Sequence, residues 1–116
     1  YPWGNQFDKS KCNTSEGGKG GTTSVRFYSS QGDSPYGCAD MSGNVWEWTH
    51  SLFKPYPYKV NDGREDEQAA SARVLRGGSF DFNDRLARCA YRDDNDITDF
   101  NYDIGFRVVV VSPNLS

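Results

Sequence analysis

Side chains able to carry out nucleophilic, metal or proton-transfer chemistry are few in this sequence. It has one histidine, His50, and three cysteines, Cys12, Cys38 and Cys89. No CxxC pair, HExxH helix, GxSxG elbow or phosphate-binding glycine loop is present. An odd cysteine count without metal spacing favours buried free thiols in a reducing, intracellular compartment, with one disulfide and one free thiol as the alternative.

The densest group of ionisable side chains is acidic and lies in segment 80–103. Asp93, Asp94 and Asp96 are close together, but nothing marks them as a general acid and base. Residues 81–103 are rich in Asp, Asn, Phe and Tyr, and contain no Lys, Glu, Gln, Trp or Met. Aromatic anchors beside adaptable polar groups are typical of recognition surfaces, whereas the alternative is a solvated polar loop. The candidate ligand-binding residues are Asp81, Phe82, Asn83, Asp84, Leu86, Asp93, Asp94, Asn95, Asp96, Phe100, Asn101 and Tyr102.

The composition is that of one small acidic domain whose core depends on aromatic rings. The 116 residues carry a formal net charge of -3, and 15% of them are aromatic. Each buried ring removes a large apolar area from water, which compensates for a lean aliphatic content. The acidic balance argues against a nucleic-acid partner. No apolar run approaches the roughly 20 residues of a membrane helix, and no signal-peptide pattern is recognised.

The elements that must position these side chains are short. Residues 1–24 are polar and rich in glycine, which predicts a long loop, and loose alternation over 22–28 indicates a strand. One helical turn is expected around 67–70. A short strand is expected over 73–76. The apolar run 104–111 predicts a central strand that is buried on both faces. The result is an α+β domain with long connections around a small sheet.

Four blocks in a fixed order carry a family resemblance that spans nearly the whole chain. They are YPWGN at 1–5, SPYG leading into DMSGNVWEW at 34–48, RVLRGGS at 73–79, and IGFR at 104–107. Together they resemble the sulfatase-modifying-factor, or formylglycine-generating-enzyme, family. The resemblance implies a loop-rich C-type lectin-like fold with a small antiparallel sheet. Family domains extend upstream of the first block, so residues 1–116 are either a single domain or the C-terminal portion of a larger one.

The same resemblance decides what is expected of catalysis. Formylglycine-generating members bind copper through two cysteines that follow the Gly-Gly-Ser motif, and the matching positions here are Phe82 and Ala87. Cys89 matches a structural cysteine instead. A second branch of the family uses a histidine-rich iron site, and this chain has only His50. We therefore expect no copper and no catalysis, with the alternative of an oxidoreductase whose catalytic residues lie outside this chain.

A second resemblance concerns segment 80–103. It is similar to the variable regions of diversity-generating-retroelement proteins, which display mutated residues on the same lectin-like scaffold. Adenine mutagenesis of AAC codons yields residues such as Asp, Tyr, Phe, Ile and Thr, and never Lys, Glu, Gln, Trp or Met. Positions 81–84, 86 and 93–103 all fall within the accessible set. A diversified surface and an ordinary polar family loop both remain open.

The resemblance also implies a structural calcium ion. Family members bind it through side-chain and main-chain oxygens, and the matching residues are Asp40, Gly43, Val45 and Glu47. Calcium takes six to eight oxygen ligands and accepts carbonyl groups. The alternative role for Glu47 is to pair with an arginine. Arg107, inside its apolar strand, needs a carboxylate partner, for which Glu47 and the Asp-rich stretch are the candidates. A weaker second site at Asn13 and the carbonyl of Thr14 lacks its downstream acid.

These observations predict a non-catalytic ligand-binding domain that uses segment 80–103 as its recognition surface. The acidic surface favours a protein or other macromolecular ligand with a basic or polar epitope. An upstream segment of the same protein is a further expected partner.

Overall fold

The computed structural model describes residues 1–113, whose regular structure is one small sheet and a short 3-10 helix, Ser15–Gly17, within long irregular connections. The strands are β1 Trp46–Leu52, β2 Arg73–Arg76, β3 Asp93–Asn95 and β4 Ile104–Gly105. They lie in the order β3-β2-β1-β4. β2 is antiparallel to β1 and β3, whereas β4 is parallel to β1. The predicted antiparallel sheet is therefore mixed, with one parallel pair at its edge. Within residues 1–113, no helix combines the length and apolar character that crossing a bilayer requires.

The core lies on the two central strands. Trp46 and Leu52 of β1 and Val74 and Leu75 of β2 are all buried. Successive side chains of a strand point to opposite faces, so Val74 and Leu75 pack on different sides of the sheet. Both faces at the centre of the sheet are thus covered. Trp48, which shares a face with Trp46, is only half-buried.

The strand predicted over 104–111 is wrong in length and in position. Only Ile104–Gly105 is strand, and it lies at the edge of the sheet. Its pairing with β1 ends at the Glu47 and Gly105 register, and no described strand lies on its outer side. Val108 to Val111 are therefore at least 75% exposed. The run is apolar, but within residues 1–113 it has nothing to pack against.

Two smaller elements also differ from the sequence prediction. Residues 22–28 form irregular chain and turns rather than a strand, with Val25 and Phe27 exposed. Arg26 has a φ of 67°, which is incompatible with an extended strand. Residues 67–70 contain a turn but no helix. The strand predicted over 73–76 is confirmed by β2.

Buried polar contacts hold Gly43 and Asn44, which belong to the DMSGNVWEW block. Gly43 has a φ of 79°, and a Cβ there would stand 2.3 Å from the carbonyl oxygen of Asn13. The next residue, Asn44, also has a positive φ, of 75°. Its Oδ1 accepts from the Thr23 amide at 2.9 Å and from Asn13 Nδ2 at 3.2 Å. A glycine followed by an asparagine therefore ties the N-terminal loops to the start of β1.

Candidate ligand-binding site

A cleft of about 160 Å³ opens on one face of the sheet, and we call it the ligand cleft. Its lining residues are Trp46, Leu75, Phe82, Asp93, Asp94, Asn95, Asn101, Asp103 and Ile104. Every strand of the sheet contributes at least one of them. Because strands are the most rigid elements of this loop-rich chain, they hold the lining in a fixed arrangement.

The floor of the ligand cleft is apolar. Trp46 and Leu75 are each only 3% exposed. The Phe82 ring meets Trp46 edge to face, with 5.8 Å between ring centroids and 68° between planes. Tyr91 lies on Trp46 as well, at 6.1 Å. Aromatic pairs of this geometry contribute beyond their buried area, so the floor is well fixed.

The walls of the ligand cleft carry carboxylates. Asp103 is 6% exposed, and its Oδ2 accepts from Ser79 Oγ at 2.8 Å. Its main-chain oxygen accepts from the Trp46 amide, which ties it to the floor. Asp93 accepts from the Asp94 amide at 2.9 Å. None of the ion pairs found within residues 1–113 includes these three aspartates. The cleft therefore offers negative charge to a ligand above an apolar floor.

Two aromatic side chains of segment 80–103 are largely exposed to solvent outside the cleft. Phe100 is 92% exposed and Tyr102 is 74% exposed. The Tyr102 hydroxyl donates to Asp81 Oδ2 at 2.6 Å, and this hydrogen bond raises the pKa of the tyrosine. Nearby, hydrogen bonds from Thr98 lower the pKa of Asp96. These groups form a polar and aromatic surface next to the cleft, not a pocket of their own.

The structure brings together some of the predicted binding residues and separates others. Those that line the cleft are Phe82, Asp93, Asp94, Asn95 and Asn101. Those outside its lining are Asp81, Asn83, Asp84, Leu86, Asp96, Phe100 and Tyr102. Asn83 and Asp84 serve the local chain: Asn83 Oδ1 accepts from the Arg85 amide, and the Asp84 carbonyl accepts from Tyr1. The sequence prediction omitted Trp46, Leu75, Asp103 and Ile104 from the site, although three of them stand in the family blocks.

Comparison with known proteins identifies the family of the chain. The model of the sulfatase-modifying factor enzyme 1-like domain matches residues 1–111. The chain belongs to this family. The sequence resemblance is thereby confirmed.

The relatives of this chain have names that describe different kinds of protein. The chain is 34% identical over 113 residues to the serine/threonine-protein kinase pkn1 of Chlamydia pneumoniae, covering 92% of this chain and 17% of the kinase. It is 33% identical over 90 residues to the inactive C-alpha-formylglycine-generating enzyme 2 of Mus musculus, covering 69% of this chain and 25% of that protein. The chain thus spans a quarter or less of the length of these relatives.

A solved structure shares the fold. The chain superposes on the Treponema denticola variable protein 1 with a TM-score of 0.66 and 22% sequence identity, covering 84% of this chain and 35% of that chain. Likeness at this level of identity shows the architecture. It does not indicate what either protein binds.

The thiols of this family member lie away from the ligand cleft. Phe82, which stands where the resemblance places the first catalytic cysteine, is part of the cleft and packs on Trp46. Cys12 is buried, and burial raises the pKa of its thiol to about 11. All three cysteines are free thiols, but Cys38 and Cys89 are exposed, so the prediction of buried thiols is wrong for these two. At the position where the family enzymes hold a metal-binding thiol, this chain presents an aromatic ring to the cleft.

The residues predicted to bind calcium border a different cleft, of about 230 Å³. Asp40, Val45 and Glu47 line it, and Gly43 does not. Arg107 lies in the same cleft and donates to both carboxylate oxygens of Glu47, at 2.5 Å and 2.7 Å. Calcium needs six to eight oxygen ligands, and a guanidinium on Glu47 repels a cation. As arranged, the four positions do not fit the ion, so calcium binding there stays a prediction that requires Arg107 to move.

At the weaker calcium site, the side chain of Asn13 carries a buried oxygen that no donor satisfies among the described residues. Asn13 is 1% exposed, and this oxygen is its Oδ1. Its Nδ2 donates to the carbonyl of Gly21 at 2.9 Å, so the amide is oriented by its other end. A buried carbonyl oxygen without a donor costs about 1–3 kcal/mol, which a cation or a water molecule would recover.

Proposed function

We propose that this chain is a non-catalytic ligand-binding domain of C-type lectin-like architecture, with the ligand cleft as the centre of its binding surface. The observation that carries the proposal is the pairing of an aromatic floor with aspartates that have no cationic partner among residues 1–113. Such a site binds a group with an apolar stem and a positive or hydrogen-bond-donating end. Lysine and arginine side chains have this form.

The exposed surface around the cleft supports a macromolecular ligand. Phe100 and Tyr102 are mostly exposed beside the cleft, although large apolar side chains normally gain by burial. Interfaces use such aromatic side chains as anchors, and a polar rim of Asp and Asn adapts around them. The proposed ligand is therefore a protein with a basic epitope. Its association should weaken as salt is added, because the attraction between opposite charges is screened.

Diversification of segment 80–103 is a further part of the proposal. Its support is the residue composition together with a fold shared with a protein that is named as variable. The gene offers a direct test. A second near-copy of the sequence encoding residues 76–107, differing only at adenines, is the expected result. A genome without such a copy would return this segment to the ordinary loops of the family.

A charge-matched pair of variants tests the binding site itself. Asp94 lines the cleft, whereas Asp99 is exposed outside its lining, and neither side chain forms a hydrogen bond within residues 1–113. The full-length protein would be applied to an array of basic, neutral and acidic peptides. We expect retention of basic peptides, a loss of several-fold with Asp94→Asn, and little change with Asp99→Asn. Equal effects of the two substitutions would show general charge attraction and remove the cleft from the proposal.

A further inference from the structure

A second cleft, of about 220 Å³, lies on the opposite face of the sheet. Val74 and Arg76 of β2 line it, while the intervening Leu75 lines the ligand cleft. Alternate residues of a strand point to opposite faces, so the two clefts lie back to back. We call this second site the arginine cleft, because three arginines line it: Arg64, Arg76 and Arg92.

The guanidinium groups of the arginine cleft are held in place by protein contacts. Arg76 Nη1 donates to the carbonyl of Tyr91 at 3.0 Å. Arg92 Nη1 donates to the carbonyl of Lys54 at 3.0 Å, and its guanidinium lies over the Tyr56 ring at 3.9 Å. Neutral carbonyls and rings orient these groups without cancelling their charge. Their positions are therefore fixed before any ligand arrives.

The charge of Arg76 and Arg92 is not neutralised within residues 1–113. Neither arginine has a carboxylate within ion-pair distance. Arg64, in contrast, forms an ion pair with Asp62, with 2.7 Å between Nη2 and Oδ2, so these two charges balance each other. The cleft thus carries positive charge in a chain whose formal net charge is -3. An excess of one sign in a concave site concentrates ions of the other sign.

Arg64 contributes a further donor to the arginine cleft. Its side chain is 2% exposed, and its Nε and Nη2 are bonded to Asp62 and to main-chain carbonyls. Its Nη1 forms no hydrogen bond among the described residues and is not one of their fully buried atoms without a partner, so it is open to the cleft that the side chain lines. A guanidinium N–H that is open to the cleft is available to an acceptor there.

We propose that the arginine cleft binds the carboxylate or phosphate group of a small organic anion. Guanidinium groups offer paired donors that match the oxygens of both anions. A volume of about 220 Å³ is below that of sites for drug-sized ligands, so the ligand is small. The hydroxyl of Tyr56, which accepts from Arg76 Nη2 at 3.3 Å, adds a donor at the same site.

Protection from an arginine-specific reagent tests this site in the full-length protein. Phenylglyoxal modification of Arg76 and Arg92 would be followed by peptide mass spectrometry, with exposed Arg85 as the internal control. Inorganic phosphate, acetate and chloride would be compared at one ionic strength. At a phosphate concentration of about nine times Kd, the free fraction falls to about one tenth, so modification of Arg76 and Arg92 should slow about tenfold. The rate at Arg85 should not change.

The comparison between anions and between variants completes the test. Protection by phosphate alone identifies a phosphate ligand, and protection by acetate alone identifies a carboxylate. Arg92→Gln should abolish protection at Arg76, whereas Arg85→Gln, which removes the same charge elsewhere, should preserve it. Equal rates in phosphate, acetate and chloride would overturn the proposal, and so would equal protection of Arg85. The wild-type measurement decides the matter even if Arg92→Gln does not fold.

Discussion

Replacing Ser79 with alanine removes a buried donor beneath the ligand cleft. The serine side chain is fully buried, and its Oγ donates to Asp103 Oδ2 at 2.8 Å. Hydrogen bonds to charged groups contribute about 1.5–3 kcal/mol, and Asp103 would keep its burial while losing this donor. We expect the free energy of unfolding to fall by about 2 kcal/mol. This is a large part of the roughly 5–15 kcal/mol that stabilises a typical domain.

Urea unfolding followed by tryptophan fluorescence measures this effect in the full-length protein. With a slope of about 2 kcal/mol per molar urea, a loss of about 2 kcal/mol moves the midpoint by about 1 M. Ser71→Ala is the control, because Ser71 is exposed and forms no hydrogen bond within the described residues. In an Asp103→Asn background the Ser79→Ala cost should shrink, since the charged acceptor is gone. Equal midpoints for Ser79→Ala and Ser71→Ala would refute the reasoning.

Three further predictions follow from the geometry. Gly43→Ala should cost at least about 1–2 kcal/mol in urea unfolding, because Gly43 has a φ of 79° and a new Cβ would meet a carbonyl oxygen. Arg107→Gln should free Glu47 and thereby make thermal stability more dependent on calcium than in the wild type. A wild type that calcium already stabilises strongly would show that Arg107 moves away from Glu47 when the ion binds. Hydrogen bonds to two glutamates raise the pKa of His50 above 6.5. Its stabilising contribution is therefore complete below pH 6.5 and lost as pH rises through the higher folded pKa. His50→Gln should remove that pH dependence, and an unchanged profile would contradict it.

The parts of the fold that could be predicted from sequence are those fixed by local chemistry. The sequence predicts a short strand over residues 73–76 that ends at the glycine pair 77–78, and the structure has it there. The need of Arg107 for a carboxylate partner follows from a charge inside an apolar run, and the structure supplies Glu47. Both inferences rest on residues close in sequence or on a cost that any fold must meet.

The edge of the sheet could not be predicted in the same way. The run 104–111 is apolar enough for a central strand, but a strand also needs neighbours. Among the described residues β4 has a partner on one side only, so pairing stops at Gly105 and the valines remain exposed. The apolar pattern of a segment indicates which of its side chains could be buried. Whether a neighbouring strand is present to bury them depends on the tertiary structure.

The candidate site shows the same division. The composition of segment 80–103 indicates which residues favour recognition, and the structure collects five of the predicted ones in the ligand cleft. Its floor comes from β1 and β2, far away in sequence, so Trp46 and Leu75 could be assigned to the core but not to this site. The arginine cleft was missed because its three arginines are 12 and 16 residues apart along the chain.

Hydrogen–deuterium exchange tests the central claim most directly, with and without a basic peptide that the full-length protein retains. We expect slower exchange over Asp93–Asn95 and around Asn101 to Ile104, because these residues line the ligand cleft. Protection of these segments should be lost at high salt together with binding. Protection confined to the opposite face, around residues 49–58, or no protection in segment 80–103, would contradict the assignment of this segment as the binding surface.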